Sequence, residues 1–359
     1  MVNPLQGNKK TLVLIQLLRA IASLLVVLMH ITVNYQEKTG HEFLFGIFKF
    51  GGSGVDIFFV LSGFIITYSN RQYLAKPAST GKFLKRRFVR IFPIYWLIIT
   101  ALLILQLALP ACYNTMYSTD GSNLLQTYLL LPGHLMLNGV SWSLSNELFF
   151  YLLFTLALII PNKKFSLYLM TGYFILLLVL AFGFPQLTTG NPYKEMLFFP
   201  MNIEFLLGIL IVLIIDRVPV SSARSLLVAG IVLFIAGALL DNAGIRITGD
   251  AVSGPLNRVL LFGVPSFLII LAVVKLELNR TVKMHNRFLQ LGDASYSIYL
   301  FHLPVVAAFF KMIAVFRITD PLILFLLSCI LIVLVFAAGI FIYQKIEKPL
   351  IQKLNLLLR

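Results

Sequence analysis

Arg19 and His30 are ionisable residues in the first apolar run of the chain, eleven positions apart. On an α-helix eleven residues make very nearly three turns, so both project from one face, about 16 Å apart along the axis. Ser23, four residues after Arg19, falls on the same stripe. A guanidinium fork suits phosphate, and an imidazole suits proton transfer or nucleophilic attack. The two are too far apart to pair, so Arg19 is expected to serve something other than the orientation of His30. The bland alternative is a membrane histidine that only hydrogen-bonds a neighbouring helix.

Further polar residues interrupt later apolar runs. Asp56 lies in GGSGVDIFFVLSGF, after three glycines that permit close backbone approach; an interfacial acid solvated from outside is the alternative reading. Glu147 lies in WSLSNELFF with Ser143 four residues before it, and Trp142 suits an interfacial anchor. In so apolar a setting Glu147 calls for a cationic partner or a bound proton. Ser295, Tyr299 and His302 in ASYSIYLFHLP recur at i, i+4 and i+7. Pro304 then frees a backbone carbonyl, which fits a kink beside a cavity, with interhelical hydrogen bonding as the alternative. In the loop KFLKRRFVRIFPIYW, Arg86, Arg87 and Arg90 form a basic face, suited to phosphate or simply to flanking a membrane span.

The elements that must position these residues are transmembrane helices. Only 12% of the 359 residues are charged, about half the share of a soluble domain. Runs near twenty apolar residues recur, each long enough to cross a hydrocarbon core of roughly 30 Å. The predicted fold is an all-α membrane protein of about ten helices, at 11–34, 52–69, 88–109, 142–160, 165–184, 201–215, 224–240, 258–275, 295–316 and 321–343. They make a single transmembrane domain over 1–359, with no soluble stretch long enough for a second core. The run from Thr11 to Val33 is too long for a signal-peptide core and lacks a small-residue cleavage site, so it is expected to be retained. Ser122–Leu131 is apolar but brief, and reads as interfacial or re-entrant.

The net charge of +15 does not point to nucleic acid, because the charges sit in short loops between the apolar runs. With the N-terminus inside, most of the 29 basic residues fall on the inner side, from Lys9 and Lys10 to Lys353 and Arg359. Lys38, Lys49, Lys194, Arg246, Arg258, Lys311 and Arg317 remain for the outside. Both termini are therefore expected to be cytoplasmic. Cys112 and Cys329 make no metal-ligand spacing and are not expected to pair. No internal repeat of the kind found in transporters is visible. In this topology the arginines gather toward the inner side, while His30, Asp56 and Glu147 gather toward the outer side, and the polar face of the first helix connects them. Such a layout suits a phosphorylated cytoplasmic donor and an acceptor reached from outside.

The same segments resemble the acyltransferase-3 family of membrane acyltransferases. The resemblance runs from about Leu14 to Pro349 and rests on LLRAIASLLVVLMH, GGSGVDIFFVLSGF, RRFVRIFPIYW, WSLSNELFFYLLF, GDASYSIYLFH and IEKP in that order. It implies transfer of an acyl group, commonly acetyl from acetyl-CoA and without a metal, to a sugar hydroxyl of a bacterial surface polysaccharide or its lipid-linked precursor. It also implies residence in the bacterial cytoplasmic (inner) membrane, with polysaccharide-assembly proteins as partners beside the acyl-CoA, the saccharide and the bilayer. By the resemblance, Arg19 and His30 are the paired functional residues, Arg87 and Arg90 match the arginine motif, and Asp56 and Glu147 match acidic positions. Many relatives carry an additional esterase-like domain of the SGNH type; this chain stops at Arg359, so transfer is expected within the membrane domain. Asn146 departs from the pattern, standing where an apolar residue is expected.

The mechanism expected from the sequence places CoA phosphates on Arg86, Arg87 and Arg90, helped by Arg19, with the pantetheine arm threading outward along the first helix. His30 acts as general base on the acceptor hydroxyl, oriented by Asp56 or Glu147 as in a triad, or it carries the acyl group itself. Trp142, Ser143, Tyr299 and His302 are the expected substrate-binding residues. The rivals are a transporter or flippase with an intramembrane charge relay, and a non-catalytic partner in polysaccharide export, for which His30 would be dispensable.

Overall fold

A computed structural model describes residues 12–108, 120–133, 136–245, 254–280 and 282–357. Among these residues there is no strand, and ten helical stretches are long and apolar enough to cross a membrane. Cys112, Lys9, Lys10, Arg246 and Arg359 lie outside the described residues. The spanning helices begin with α1 (Val13–Thr39), α2 (Gly54–Asn70) and α3 (Thr80–Ala108), and the short α4 (Gly121–Leu129) precedes α5 (Ser141–Ile159) and α6 (Lys163–Gly183). A short α7 (Pro192–Leu197) leads into α8 (Asn202–Ile214), followed by α9 (Ala223–Asn242). One turn of α10 (Pro255–Arg258) runs through a π-helical turn at Val259–Gly263 into α11 (Val264–Asn279). The amphipathic α12 (Asn286–Asp293) precedes α13 (Ser295–Val315), and α14 (Pro321–Ile342) continues through a second π turn, Tyr343–Glu347, into α15 (Lys348–Leu357).

The spans match the sequence-based expectation, with one correction that bears on function. The segment holding Arg86 and Arg87 is not a loop: α3 starts at Thr80, and Pro93 lies inside it. The basic residues therefore occupy fixed helical positions rather than a mobile flank. Ser122–Leu131 is the expected short element, built as α4. It is capped by the Asp120 side chain, which accepts from Asn123 N, and it docks on α3 through Tyr95 Oη donating to Thr127 O at 2.7 Å and Trp96 Nε1 donating to Tyr128 O at 2.8 Å.

The helices sort by what they touch. α6, α9 and α14 present large apolar side chains outward, among them Phe182, Val232 and Val333, which lipid can cover. α2 is the most enclosed span. It crosses α8 at Gly63 and Gly208, where a side chain on either glycine would run into the partner's backbone at Phe205 or Val60; small residues at such crossings let helices approach closely in lipid. The start of α1 is held by Glu277 near the end of α11, whose carboxylate accepts from Val13 N and, at 2.9 Å, from Leu14 N. An acid on the free N–H groups of a helix start is stabilising. This contact fixes the beginning of α1 and the end of α11 at the same end of the bundle.

Candidate functional site

A cavity of about 250 Å3 opens among α1, α2, α3, α5 and α13. Arg19 from the early part of α1, Arg87 and Arg90 from the early part of α3, and Asp293 and Tyr343 line the end where α1 begins. Glu147 and Tyr151 of α5 and Ser62 of α2 line its side, and Ser143 and Tyr299 form part of the wall toward the other end. The sequence-predicted residues Arg19, Arg87, Arg90, Ser143, Glu147 and Tyr299 thus share one space. Arg86 does not line it: a one-residue step from Arg87 turns the side chain by about 100°, and Arg86 is exposed.

The three arginines in the cavity differ in their partners. Arg90 donates to Glu347 Oε1 at 2.5 Å, while Ser297 Oγ donates to the other oxygen at 2.5 Å. The Arg90 guanidinium also lies 5.5 Å from the centre of the Tyr296 ring. Glu347 is fully buried, so this pair ties α3, α13 and the π turn after α14 together. Arg87 instead lies over the rings of Phe83 and Tyr151, at 5.8 and 5.6 Å, and its Nε has no partner. Arg19 donates to Gln16 Oε1, at 3.2 Å. Among the described residues no carboxylate lies within 4 Å of either Arg19 or Arg87. Two guanidinium groups from different helices therefore face one cavity with donors to spare, the arrangement that binds phosphate.

Glu147 is held by Tyr151 Oη, donating at 2.6 Å, and by Ser62 Oγ, donating at 2.9 Å, both to Oε1. Asp56 pairs with Arg258, whose Nη2 also donates to Gly52 O at 2.7 Å. Neither acid reaches His30, so the expected orientation of His30 by Asp56 or Glu147 is corrected. Asp56 turns toward Arg258 at the end of α10, and Glu147 toward Ser62 of α2. What meets His30 is His302: the ring centroids are 4.9 Å apart, and His302 Nε2 lies 3.2 Å from His30 Nδ1.

The tautomers of this pair follow from their partners, because a carbonyl oxygen can only accept. His302 Nδ1 lies 2.7 Å from Tyr299 O and 3.2 Å from Ile298 O, so it carries a proton and donates. In the neutral ring, Nε2 is then an acceptor. His30 Nδ1 lies 2.9 Å from Val26 O, so it too carries a proton, shared with His302 Nε2. That leaves His30 Nε2 as a bare lone pair with no partner among the described residues. His302 can thus serve His30 as the carboxylate of a triad serves its histidine, by fixing the ring and its tautomer. The α13 stripe divides accordingly: Ser295 and Tyr299 line the cavity, and His302, fully buried, carries the stripe one turn further to His30. Ser143 lies 2.7 Å from Tyr299 Oη, which joins α5 to the same wall. Ser23 is buried, and its hydroxyl donates back to Ala20 O at 2.9 Å.

Several residues here were not singled out from the sequence. From the sequence Arg258 is only one of the basic residues left for the outside, and Glu347 only a part of IEKP. Glu204 on α8, fully buried with Asp56 and Arg258 as electrostatic neighbours, is a lone acid in an apolar run. The signal that marked Asp56 marks Glu204 as well. Both π turns border the two ion pairs, Val259–Gly263 after Arg258 and Tyr343–Glu347 ending on Glu347; such turns often sit at functional sites. Among the described residues no group of three or more His, Cys, Asp or Glu is placed to hold a metal.

A model of an acyltransferase domain matches residues 13–343. The chain is 29% identical over 333 residues to the exopolysaccharide production protein ExoZ of Rhizobium meliloti, covering 88% of this chain and 93% of that protein. It is 28% identical over 314 residues to the acyltransferase MdmB of Streptomyces mycarofaciens, covering 80% of this chain and 77% of that one. No solved structure matches it.

Proposed function

From the premise that this chain belongs to the acyltransferase-3 family and is a multi-pass membrane acyltransferase, we propose that it moves an acyl group, acetyl in the first instance, from cytoplasmic acyl-CoA to a hydroxyl of a cell-surface polysaccharide or its lipid-linked precursor. The observation that carries the donor half is the cavity with Arg19 and Arg87 unpaired in one wall. In this reading the chain sits in the bacterial cytoplasmic membrane with both termini inside, so the arginine end of the cavity faces the cytoplasm. The acceptor class is supported by the name of the ExoZ relative, an exopolysaccharide production protein. Proteins of polysaccharide assembly are the expected partners.

Arg19 and Arg87 take the CoA phosphates, while Arg90, held by Glu347, shapes the mouth. The pantetheine arm runs past Glu147 toward Tyr299. His30 Nε2 accepts the proton of the acceptor hydroxyl as its oxygen attacks the thioester carbonyl carbon. The C–S bond then breaks, and the CoA thiolate leaves and takes up the proton. The imidazolium formed on the way is held by His302 Nε2 and Val26 O, both acceptors for its Nδ1–H.

Donor binding is testable without knowing the acceptor. A ligand that binds only the folded state stabilises it by RT ln(1 + [L]/Kd), about 2.7 kcal/mol at a hundredfold excess over Kd. The thermal transition of detergent-solubilised protein should rise saturably with acetyl-CoA, and rise less for Arg87→Ala. No rise with acetyl-, succinyl- or longer acyl-CoA in folded protein would remove the donor assignment.

A further inference from the structure

α5 separates two hollows. Ser143 and Glu147, four residues apart, face the arginine cavity. Trp142 and Asn146, also four apart on the adjacent stripe, face a second cleft of about 370 Å3, whose walls include Phe199, Glu195 and Arg258. The partition is aromatic: Trp142 meets Phe59, a cavity residue, edge-on at 6.2 Å, and meets Phe199 on the cleft side at 6.0 Å. Inside this cleft Asn146 is only 7% exposed, and its Nδ2 donates to Trp142 O at 2.9 Å. Its Oδ1 is buried with no partner. A buried amide oxygen left without a donor is destabilising, and an apolar side chain at this position would remove that penalty.

We infer that this cleft is the acceptor subsite and that Asn146 Oδ1 is its specificity-determining contact, accepting a hydrogen bond from a hydroxyl of a neutral pyranose whose C–H face lies on Trp142 and Phe199. The inference deepens the proposed function and rests on its choice of a saccharide acceptor. Charge supports a neutral sugar over an acidic one, because Arg258, the cation in the cleft wall, is already paired with Asp56. A site built to accept from a substrate hydroxyl discriminates strongly against an analogue that lacks it, because the amide is then left unpaired again.

The chain has two tryptophans, so Trp96→Phe leaves Trp142 as a reporter inside the cleft. In this background, in nanodiscs, the methyl pyranosides of glucose, galactose, mannose and rhamnose are titrated while Trp142 emission is followed. The acetyl-CoA thermal shift is measured on the same samples. At least one pyranoside should change the emission saturably. Asn146→Leu should weaken that sugar about tenfold with the acetyl-CoA shift unchanged, and Asn146→Asp, which keeps an acceptor, should weaken it less. An emission response equal in Asn146→Leu, or no response to any of the four in protein that still binds acetyl-CoA, overturns the inference. Loss of the acetyl-CoA shift beside an intact sugar response would instead count against the donor reading and leave the cleft assignment standing.

Discussion

The arginines on the two sides of α5 have opposite fates. On the cavity side, among the described residues, Arg19 donates to the neutral Gln16 and Arg87 Nε has no partner, and only Arg90 is tied to an acid. On the cleft side, Arg258 is closed onto Asp56 and the Gly52 carbonyl. A guanidinium paired inside a bundle is a structural tie, whereas one without an acid is a site waiting for an anion. The sequence lends all four the same appearance, a cation at the edge of an apolar run. Their partners divide them into two that hold the fold and two that can hold a ligand.

The largest effect expected from breaking this contrast is on stability. Asp56→Ala removes the ion-pair partner of Arg258 and leaves only Glu204 and Asp241 as acidic neighbours among the described residues, and breaking such a pair typically costs about 3–5 kcal/mol. The thermal transition should fall steeply, and Asp56→Ala with Arg258→Leu should recover much of the loss. A double variant as unstable as the single would show that the pair is more than a structural tie. Next in size is Arg87→Ala. Hydrogen bonds to charged groups contribute about 1.5–3 kcal/mol, so acetyl-CoA affinity should drop by roughly ten- to a hundredfold, read by calorimetry, while the apo protein melts nearly unchanged.

A smaller effect is expected at His302. His302→Phe removes the acceptor that fixes the His30 tautomer, so the turnover rate should fall by about tenfold with donor affinity unchanged. His302→Gln, which restores an acceptor, should recover part of the rate. A change in donor affinity instead of rate would mean that His302 only packs. Least affected should be Arg86→Ala, exposed on α3, with donor affinity within about twofold, as for surface substitutions away from a site. A loss equal to that of Arg87→Ala would return Arg86 to the phosphate site.

The fold was largely legible in the sequence because membrane spans are read from length and hydropathy alone. Depth was legible too: residue count from a helix start placed Arg19, Arg87 and Arg90 at one end, and these do share a cavity. Azimuth was not. Asp56 and Glu147 are expected near His30, yet which way each turns is set by partners distant in the chain, Arg258 for Asp56 and Ser62 for Glu147. The pairing of Arg90 with Glu347, 257 residues apart, has no periodic trace in one sequence. His302 was visible as a polar stripe, but its meeting with His30 depends on how α13 packs on α1. Helical periodicity within α5 did carry information for Ser143 and Glu147, which share a stripe and one cavity; that Trp142 and Asn146 share a second hollow comes from the structure.

The central claim is that His30 is the base that moves an acyl group out of the arginine cavity. It is tested most directly by supplying His30→Ala and wild-type chains to cells lacking the native copy. Alkali-labile acyl groups on the surface polysaccharide are then measured, together with the acetyl-CoA thermal shift of each purified protein. The account predicts that ester-linked acyl falls to the level of cells without the protein while the donor shift stays at its wild-type size. Acylation retained at the wild-type level by a folded His30→Ala protein would contradict it.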